Sequence, residues 1–195
     1  GLFSRSSGSV ICEACGQQSF TGTANQSRCT ECPLGYITPE GLIGATSCQS
    51  CSAGRAGEGC AVCVTGQYRS SSDDATNCLP CKAGFYQGEK GQASCLPCLP
   101  GQVNHKIGGI KCEDCAEGRA SKISANSLSD CDACSKGQYQ LLTAQTICLS
   151  CQPGKHQNEI GQRQCSYCPI GWKRAETDEE ITKCLACEPG GTTNI

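Results

Sequence analysis

Cysteine occurs in this chain in one arrangement only, two cysteines separated by two residues, repeated eleven times. The pairs are 12/15, 29/32, 48/51, 60/63, 78/81, 95/98, 112/115, 131/134, 148/151, 165/168 and 184/187, and they account for all 22 cysteines of the 195 residues. From the second cysteine of one pair to the first of the next, the steps are 14, 16, 9, 15, 14, 14, 16, 14, 14 and 16 residues. Self-similarity at so short a period marks a tandem array whose units are single supersecondary elements. Above about 8–10 % cysteine a chain reads as a disulfide scaffold. The ordinary core formers are scarce, since Leu, Ile, Val and Phe together make 29 of 195 residues. Below about 20 % of these residues a chain does not bury enough apolar surface to offset the entropy of ordering it. The cysteines therefore have to do the work of a core.

The residues between the pairs repeat as well. Glycine stands three residues after the second cysteine at Gly35, Gly54, Gly66, Gly84, Gly101, Gly118, Gly137, Gly154, Gly171 and Gly190, with Gln18 the exception. An aromatic often follows, as at Tyr36, Tyr68, Phe85 with Tyr86, Tyr139 and Trp172. Four residues before the closing cysteine lies a turn former at Gly8, Asn25, Gly44, Asp74, Gly91, Gly108 and Gly161. Gly, Asn and Asp tolerate the left-handed backbone of tight hairpin turns. Each unit thus reads as turn, short arm, turn, short arm, cysteine. A hairpin that small is marginal without a staple, and a disulfide closing a 15-residue loop contributes about 3 kcal/mol on the chain-entropy account.

A longer period lies above this one. Cys81, Cys134 and Cys187 are 53 residues apart, and Tyr86/Tyr139, Gln87/Gln140, Pro100/Pro153, Ile107/Ile160 and Ala133/Ala186 match across the two blocks. This divides the chain into a triplet at 1–51, short-loop units at 51–81, triplets at 81–134 and 134–187, and the start of a further unit at 188–195. The nine-residue loop from Cys51 to Cys60, with Gly54, Gly57 and Gly59, reads as a spacer or bend; indel drift is the alternative. Gly1 precedes Cys12 by the same gap that separates Gly84 from Cys95, and Cys187 opens a unit that does not close. Both ends thus read as lying inside repeats of a longer array.

The spacing also suits zinc, which takes four ligands and would use two pairs per site. Eleven pairs do not divide by two, His105 and His156 are the two histidines, and only Gly16 follows a pair directly, where zinc knuckles place their glycine. A redox C-x-x-C needs a thiolate at a helix start, and the sequence shows no helical periodicity. Disulfides are the favoured reading, with no metal and no cofactor.

Segments such as 81–86 (Cys-Lys-Ala-Gly-Phe-Tyr) and 151–161 resemble the ephrin-receptor-like cysteine-rich repeat, C-x-x-C-P-x-G-x-Y, which is itself similar to the first half-module of tumour-necrosis-factor-receptor cysteine-rich domains. The resemblance covers essentially the whole chain. It implies an extracellular array of small disulfide-rich repeats: an elongated rod of short β-hairpin and irregular units, with little helix and no central core. Other regular pairings are conceivable, within each C-x-x-C or first to first and second to second. The resemblance implies the third, second cysteine to next first: Cys15–Cys29, Cys32–Cys48, Cys51–Cys60, Cys63–Cys78, Cys81–Cys95, Cys98–Cys112, Cys115–Cys131, Cys134–Cys148, Cys151–Cys165 and Cys168–Cys184. Cys12 and Cys187 are then left with partners expected just outside the chain. Eleven pairs so bonded require an oxidising compartment, hence a secreted protein or one at the cell surface.

Other signals are weaker. Asn25-Gln26-Ser27 is a sequon at an expected hairpin turn, so Asn25 is the candidate glycosylation site. The aromatics are expected to cover disulfides of their own units rather than to form a binding stripe, and His105 and His156 to be solvated loop residues. Asp73-Asp74 and Asp178-Glu179-Glu180 lack the spaced oxygens of a calcium loop. Sixteen basic against 18 acidic residues leave no basic field for nucleic acid, and no apolar run is long enough to span a membrane. No nucleophile–base pair, phosphate loop or carboxylate dyad stands out, so no catalytic residue is assigned. Two functions fit: a building block of an extracellular filament, appendage or surface coat, partnered by copies of itself and bearing glycans, or the stalk or ligand-binding region of a receptor or adhesin. Whichever holds, reduction with a thiol should expand the chain to an unfolded hydrodynamic radius, while a metal chelator should leave the radius unchanged; the converse result would establish the zinc reading.

Overall fold

The computed structural model describes residues 1–121, 130–178 and 180–190. They form two compact bodies, 1–96 with 107–110 and 97–106 with 111–195, and the same local rules build both. Among the described residues secondary structure is eleven two-stranded sheets, each strand two residues long, and a single 3₁₀ turn at Glu58–Cys60. Ten disulfides run from the second cysteine of one pair to the first of the next, with Cα–Cα separations of 5.4–5.8 Å. We number the repeats 1 to 10 by these disulfides, from Cys15–Cys29 to Cys168–Cys184. The buried apolar side chains are cysteines, four alanines and Val103, so the interior is sulfur and small side chains, repeat by repeat.

Each repeat opens with a β-turn. In repeat 2 the Tyr36 N–H donates to Pro33 O at 3.0 Å, and Gly35 holds the third place at φ +82°. That place in a type II turn needs φ near +80°, which glycine alone takes without penalty; the repeat glycines lie between +75° and +86°. The two residues after the glycine form one strand. Its partner is the x-x of the next C-x-x-C, not an arm ahead of the closing cysteine: Gln138 lies opposite Ser150 and Tyr139 opposite Leu149. The hairpin is thereby locked at both ends, because the second strand is flanked on each side by a bonded cysteine. The residues before the closing cysteine serve the neighbouring repeat instead.

Successive repeats are zipped by the main chain. The repeat-glycine N–H donates to the carbonyl three residues past the next repeat's glycine, as in Gly66→Gln87, Gly118→Gln140 and Gly137→Gln157, each at 2.7 Å. In return, at five joints the turn residue of the next repeat donates to the opening cysteine of the one before. Gly44→Cys15, Gly91→Cys63, Gly108→Cys81, Ala144→Cys115 and Gly161→Cys134 all lie at 2.7–2.8 Å. Ala144 accepts φ +56° to do this, whereas Asp74 is not in the left-handed region. In repeat 4 the place falls to Ala75, whose carbonyl receives the Gly57 N–H.

A second contact skips one repeat. A Cβ on Gly54 would strike Gly91, one on Gly66 would strike Gly108, one on Gly101 would strike Ala144, one on Gly118 would strike Gly161, and one on Gly137 would strike Ile181. In each case the glycine of one repeat lies under the turn of the repeat two further on. Gly154 and Gly171, which have no closed repeat two steps on in this chain, meet nothing. The same rule accounts for Gln18. Its second-next repeat is the nine-residue loop Cys51–Cys60, too short to carry the usual turn, so a side chain fits there, and Gln18 reaches Gly59. The departure from glycine and the shortened loop are one feature.

Gly118→Ala should therefore be destabilising twice over, by about 1–2 kcal/mol for the left-handed backbone and by about 1–3 kcal/mol more for overlap with Gly161. Gln18→Gly should change stability by less than about 1 kcal/mol. Thermal or denaturant unfolding of the two variants checks the contrast; equal losses would disprove the skip-one contact.

Candidate functional site

Eight polar side chains are buried among the described residues: Thr21, Thr38, Arg69, Gln87, Ser121, Gln140, Gln157 and Arg174. Every one stands three residues after the repeat glycine or its equivalent, Gln18. A buried polar group has to be hydrogen-bonded or it costs about 1–3 kcal/mol, and the bonds these side chains make show what the position does. Gln87, Gln140 and Gln157 make the same two bonds. The amide oxygen accepts from the N–H two residues on (Glu89, Leu142, Glu159), and the amide nitrogen donates to the carbonyl just before the closing cysteine (Ser94, Ile147, Gln164). The side chain is a strap across its own loop.

Arginine at this position works the other way. Arg69 Nη1 donates to the carbonyls of Cys51 and Ser52, both at 2.8 Å, and of Arg55 at 3.0 Å, and Nη2 reaches Asp73 O at 3.4 Å. Arg174 donates to Lys155 O at 2.5 Å and Cys151 O at 2.6 Å. Both guanidinium groups reach back into the preceding repeat and are solvated by its opening carbonyls. Beside Arg69, the Asp73 carboxylate accepts from Ser70 N–H at 2.9 Å. That bond, then the Ser70 hydroxyl, and to a smaller extent the Arg69 charge, hold its pKa below the usual 3.8. Asp74 accepts from Thr76 N–H at 2.9 Å, so this acidic pair caps turns. Glu180 accepts from the N–H and hydroxyl of Thr182, and its pKa too is lowered, first by the Thr182 hydroxyl. Glu179 lies outside the described residues, as do 191–195 of the segment 188–195.

The aromatic positions divide. Tyr36, Phe85 and Trp172, first after the glycine, are 42 %, 40 % and 48 % exposed. Tyr68, Tyr86 and Tyr139, second after it, are half-buried. Two other residues at the second position show what it covers. Ile37 of repeat 2 packs on the Cys51–Cys60 disulfide with Ala75, and His156 of repeat 9 lies with Nδ1 3.2 Å from Cys184 Sγ of repeat 10. At both sites the disulfide covered is that of the following repeat. His156 is thus half-buried and in contact, rather than a solvated loop residue, while His105 sits at the surface with Nδ1 3.1 Å from Asp130.

Cys12 is an exposed free thiol and Cys187 a half-buried one. Asn25 is exposed at a turn with φ +63°. A shallow depression of about 750 Å³ lies over repeats 7 and 8, where Asp132 stands among Ala120, Gln138, Thr146 and the Cys148 disulfide. Among the described residues no helix is long and apolar enough to cross a membrane.

The polar strap was not anticipated from sequence, though its signal is present in the in-register Gln87 and Gln140. Taken together, the staple, the left-handed glycine and the buried polar residue define the chain as a disulfide-stapled repeat array. Residues 66–115 match the family described as tyrosine-protein kinase ephrin type A/B receptor-like, and the disulfide pattern of that segment recurs along the chain. The repeats of that segment are of the ephrin-receptor-like cysteine-rich kind, and such repeats point to an extracellular domain. The search of curated proteins found no match.

Gln140→Leu should cost about 1–3 kcal/mol by stranding the Leu142 N–H and the Ile147 carbonyl. Hydrogen exchange at Leu142 should accelerate while exchange at the Cys151 amide, bonded to Gly137 O, stays slow. Uniform acceleration through the whole body would show that the strap is not local to its loop.

Proposed function

We propose that this array is a non-catalytic structural component of an extracellular filament, appendage or surface coat. The observation that carries the proposal is the two-step packing of the repeats. Within each compact body, repeats donate main-chain bonds to their neighbours, and turns fill the space above the glycine two repeats before, as Gly108 does over Gly66 and Gly161 over Gly118. A repeat therefore presents to the next one the surface that it itself used, which is the property of units that extend by addition. Among the described residues, the buried set is made of disulfides, alanines, Val103 and strapped polar side chains. Partners on this reading are further copies of the same surface, with a glycan on Asn25 at its exposed turn, and the place of action is outside the cell. The remaining thiols, Cys12 and Cys187, bond to cysteines of adjoining repeats, and the 53-residue triplets are the larger building blocks.

A second reading has its own support. The segment 66–115 matches a family named for receptors, so the array could equally serve as the ectodomain stalk or ligand-binding region of a surface receptor or adhesin.

Electron microscopy of material isolated from its natural source separates the two. Polymers labelled along their length by an antibody to this chain are expected; label confined to single particles that partition with membranes would overturn the structural reading in favour of the receptor.

A further inference from the structure

Among the described residues, His156, Cys168 and Cys184 are the one group of three potential metal ligands whose donor atoms all lie within 4.8 Å of one another. Two of them form the disulfide of repeat 10, with Cα atoms 5.7 Å apart. The third arrives from repeat 9 on the strand Lys155–His156, with its Nδ1 3.2 Å from Cys184 Sγ. The other residue seen to cover a following disulfide, Ile37, offers no donor.

We propose that opening the Cys168–Cys184 disulfide converts this cluster into a zinc site, with the two thiolates and His156 Nδ1 as ligands and water in the fourth position. The chemistry of the set is that of zinc, which favours thiolate and imidazole in tetrahedral array. With Zn–S about 2.3 Å and Zn–N about 2.0–2.1 Å, tetrahedral donor atoms stand about 3.6–3.8 Å apart. The nitrogen is already near that distance from Cys184. The two sulfurs reach it by rotating apart once their bond is gone, without movement of the backbone. Cys184 is 8 % exposed, while His156 and Cys168 are half-buried, which leaves a path for the ion and for the reductant.

The conversion balances with a dithiol as reductant. The dithiol passes two electrons and two protons to the Cys168–Cys184 bond and becomes a disulfide, and zinc binding then releases the two thiol protons. The consequence is a change in what is tied to what. The disulfide closes one loop within repeat 10, whereas the metal joins repeat 10 to repeat 9. In an oxidising medium the bond is covalent; under reduction a zinc cross-link takes its place.

The test uses the full chain with Cys12 and Cys187 alkylated first. A graded amount of a phosphine, which takes oxygen from water and leaves the two protons on the thiols, opens disulfides in the presence or absence of Zn²⁺. A second alkylating reagent then labels the exposed thiols, and peptide mass spectrometry reads each site. Zinc should slow labelling of Cys168 and Cys184 about tenfold or more, the lower end of what even an outer-shell metal partner contributes being about that size. The other nine pairs should be labelled at the same rate with and without zinc. His156→Ala, which leaves the disulfide to form as before, should abolish the protection. Protection spread over all pairs, protection that survives His156→Ala, labelling unaffected by zinc, or a Cys168–Cys184 bond that opens only when the whole chain unfolds would each overturn the proposal.

Discussion

The closure of each loop between the second cysteine of one pair and the first of the next is what every other feature leans on. A two-residue strand pair has too few bonds to hold itself, and the side chains around it are too small to add much apolar burial. The disulfide fixes the loop ends at about 5.5 Å, and only then do the short-range bonds become effective. The C-x-x-C spacing matters as much as the bond. With two residues between bonded cysteines, the chain leaving one loop is already the second strand of its hairpin, as Leu149–Ser150 is for Gln138–Tyr139. Staple and strand are the same four residues.

From that closure follows a steric rule about which residues sit where. The glycine after an opening cysteine is required by its turn and, at Gly54, Gly66, Gly101, Gly118 and Gly137, required again by the repeat two steps on. The two demands can be told apart at one place. Gln18 at φ +65° meets the first demand at some cost and is spared the second, because the loop above it is nine residues long. A gap in the stacking and a lapse in the glycine pattern, 33 residues apart in sequence, are thus adjacent in space.

Much of this could be read directly from the sequence, and what could not has definite reasons. The repeat, the left-handed glycines and the lack of a conventional core are written in spacing and composition, where periods are short and residue types few. The strand inside C-x-x-C was hidden because two residues show no alternation from which to infer a strand. Ala144 was missed as a turn because alanine carries no turn signal; the bond from its N–H to the Cys115 carbonyl holds the backbone in place. The covering of the next repeat's disulfide, rather than the residue's own, by Ile37 and His156 depends on how repeats stack, which no single repeat encodes.

At the buried polar position, glutamine and arginine fall in loops of different length. Glutamine appears there at 87, 140 and 157, all in loops of 14 residues, where the carbonyl ahead of the closing cysteine lies seven residues on and within reach of the amide. In the 14-residue loop of repeat 6 the shorter Asn104 keeps the near half of the strap, accepting from Lys106 N–H at 3.1 Å. Arginine occupies the position in repeats 4 and 10, whose loops are 15 and 16 residues long, and there the added residues alter the path to that carbonyl. The longer, cationic side chain turns instead to the preceding repeat, where the carbonyls of Cys51 or Cys151 cluster around the opening turn. Between the glutamine and the arginine repeats, a loop longer by one or two residues thus goes with bonds between repeats in place of the strap within one. In a molecule without a continuous core, that exchange is how a local insertion comes to strengthen the joint behind it.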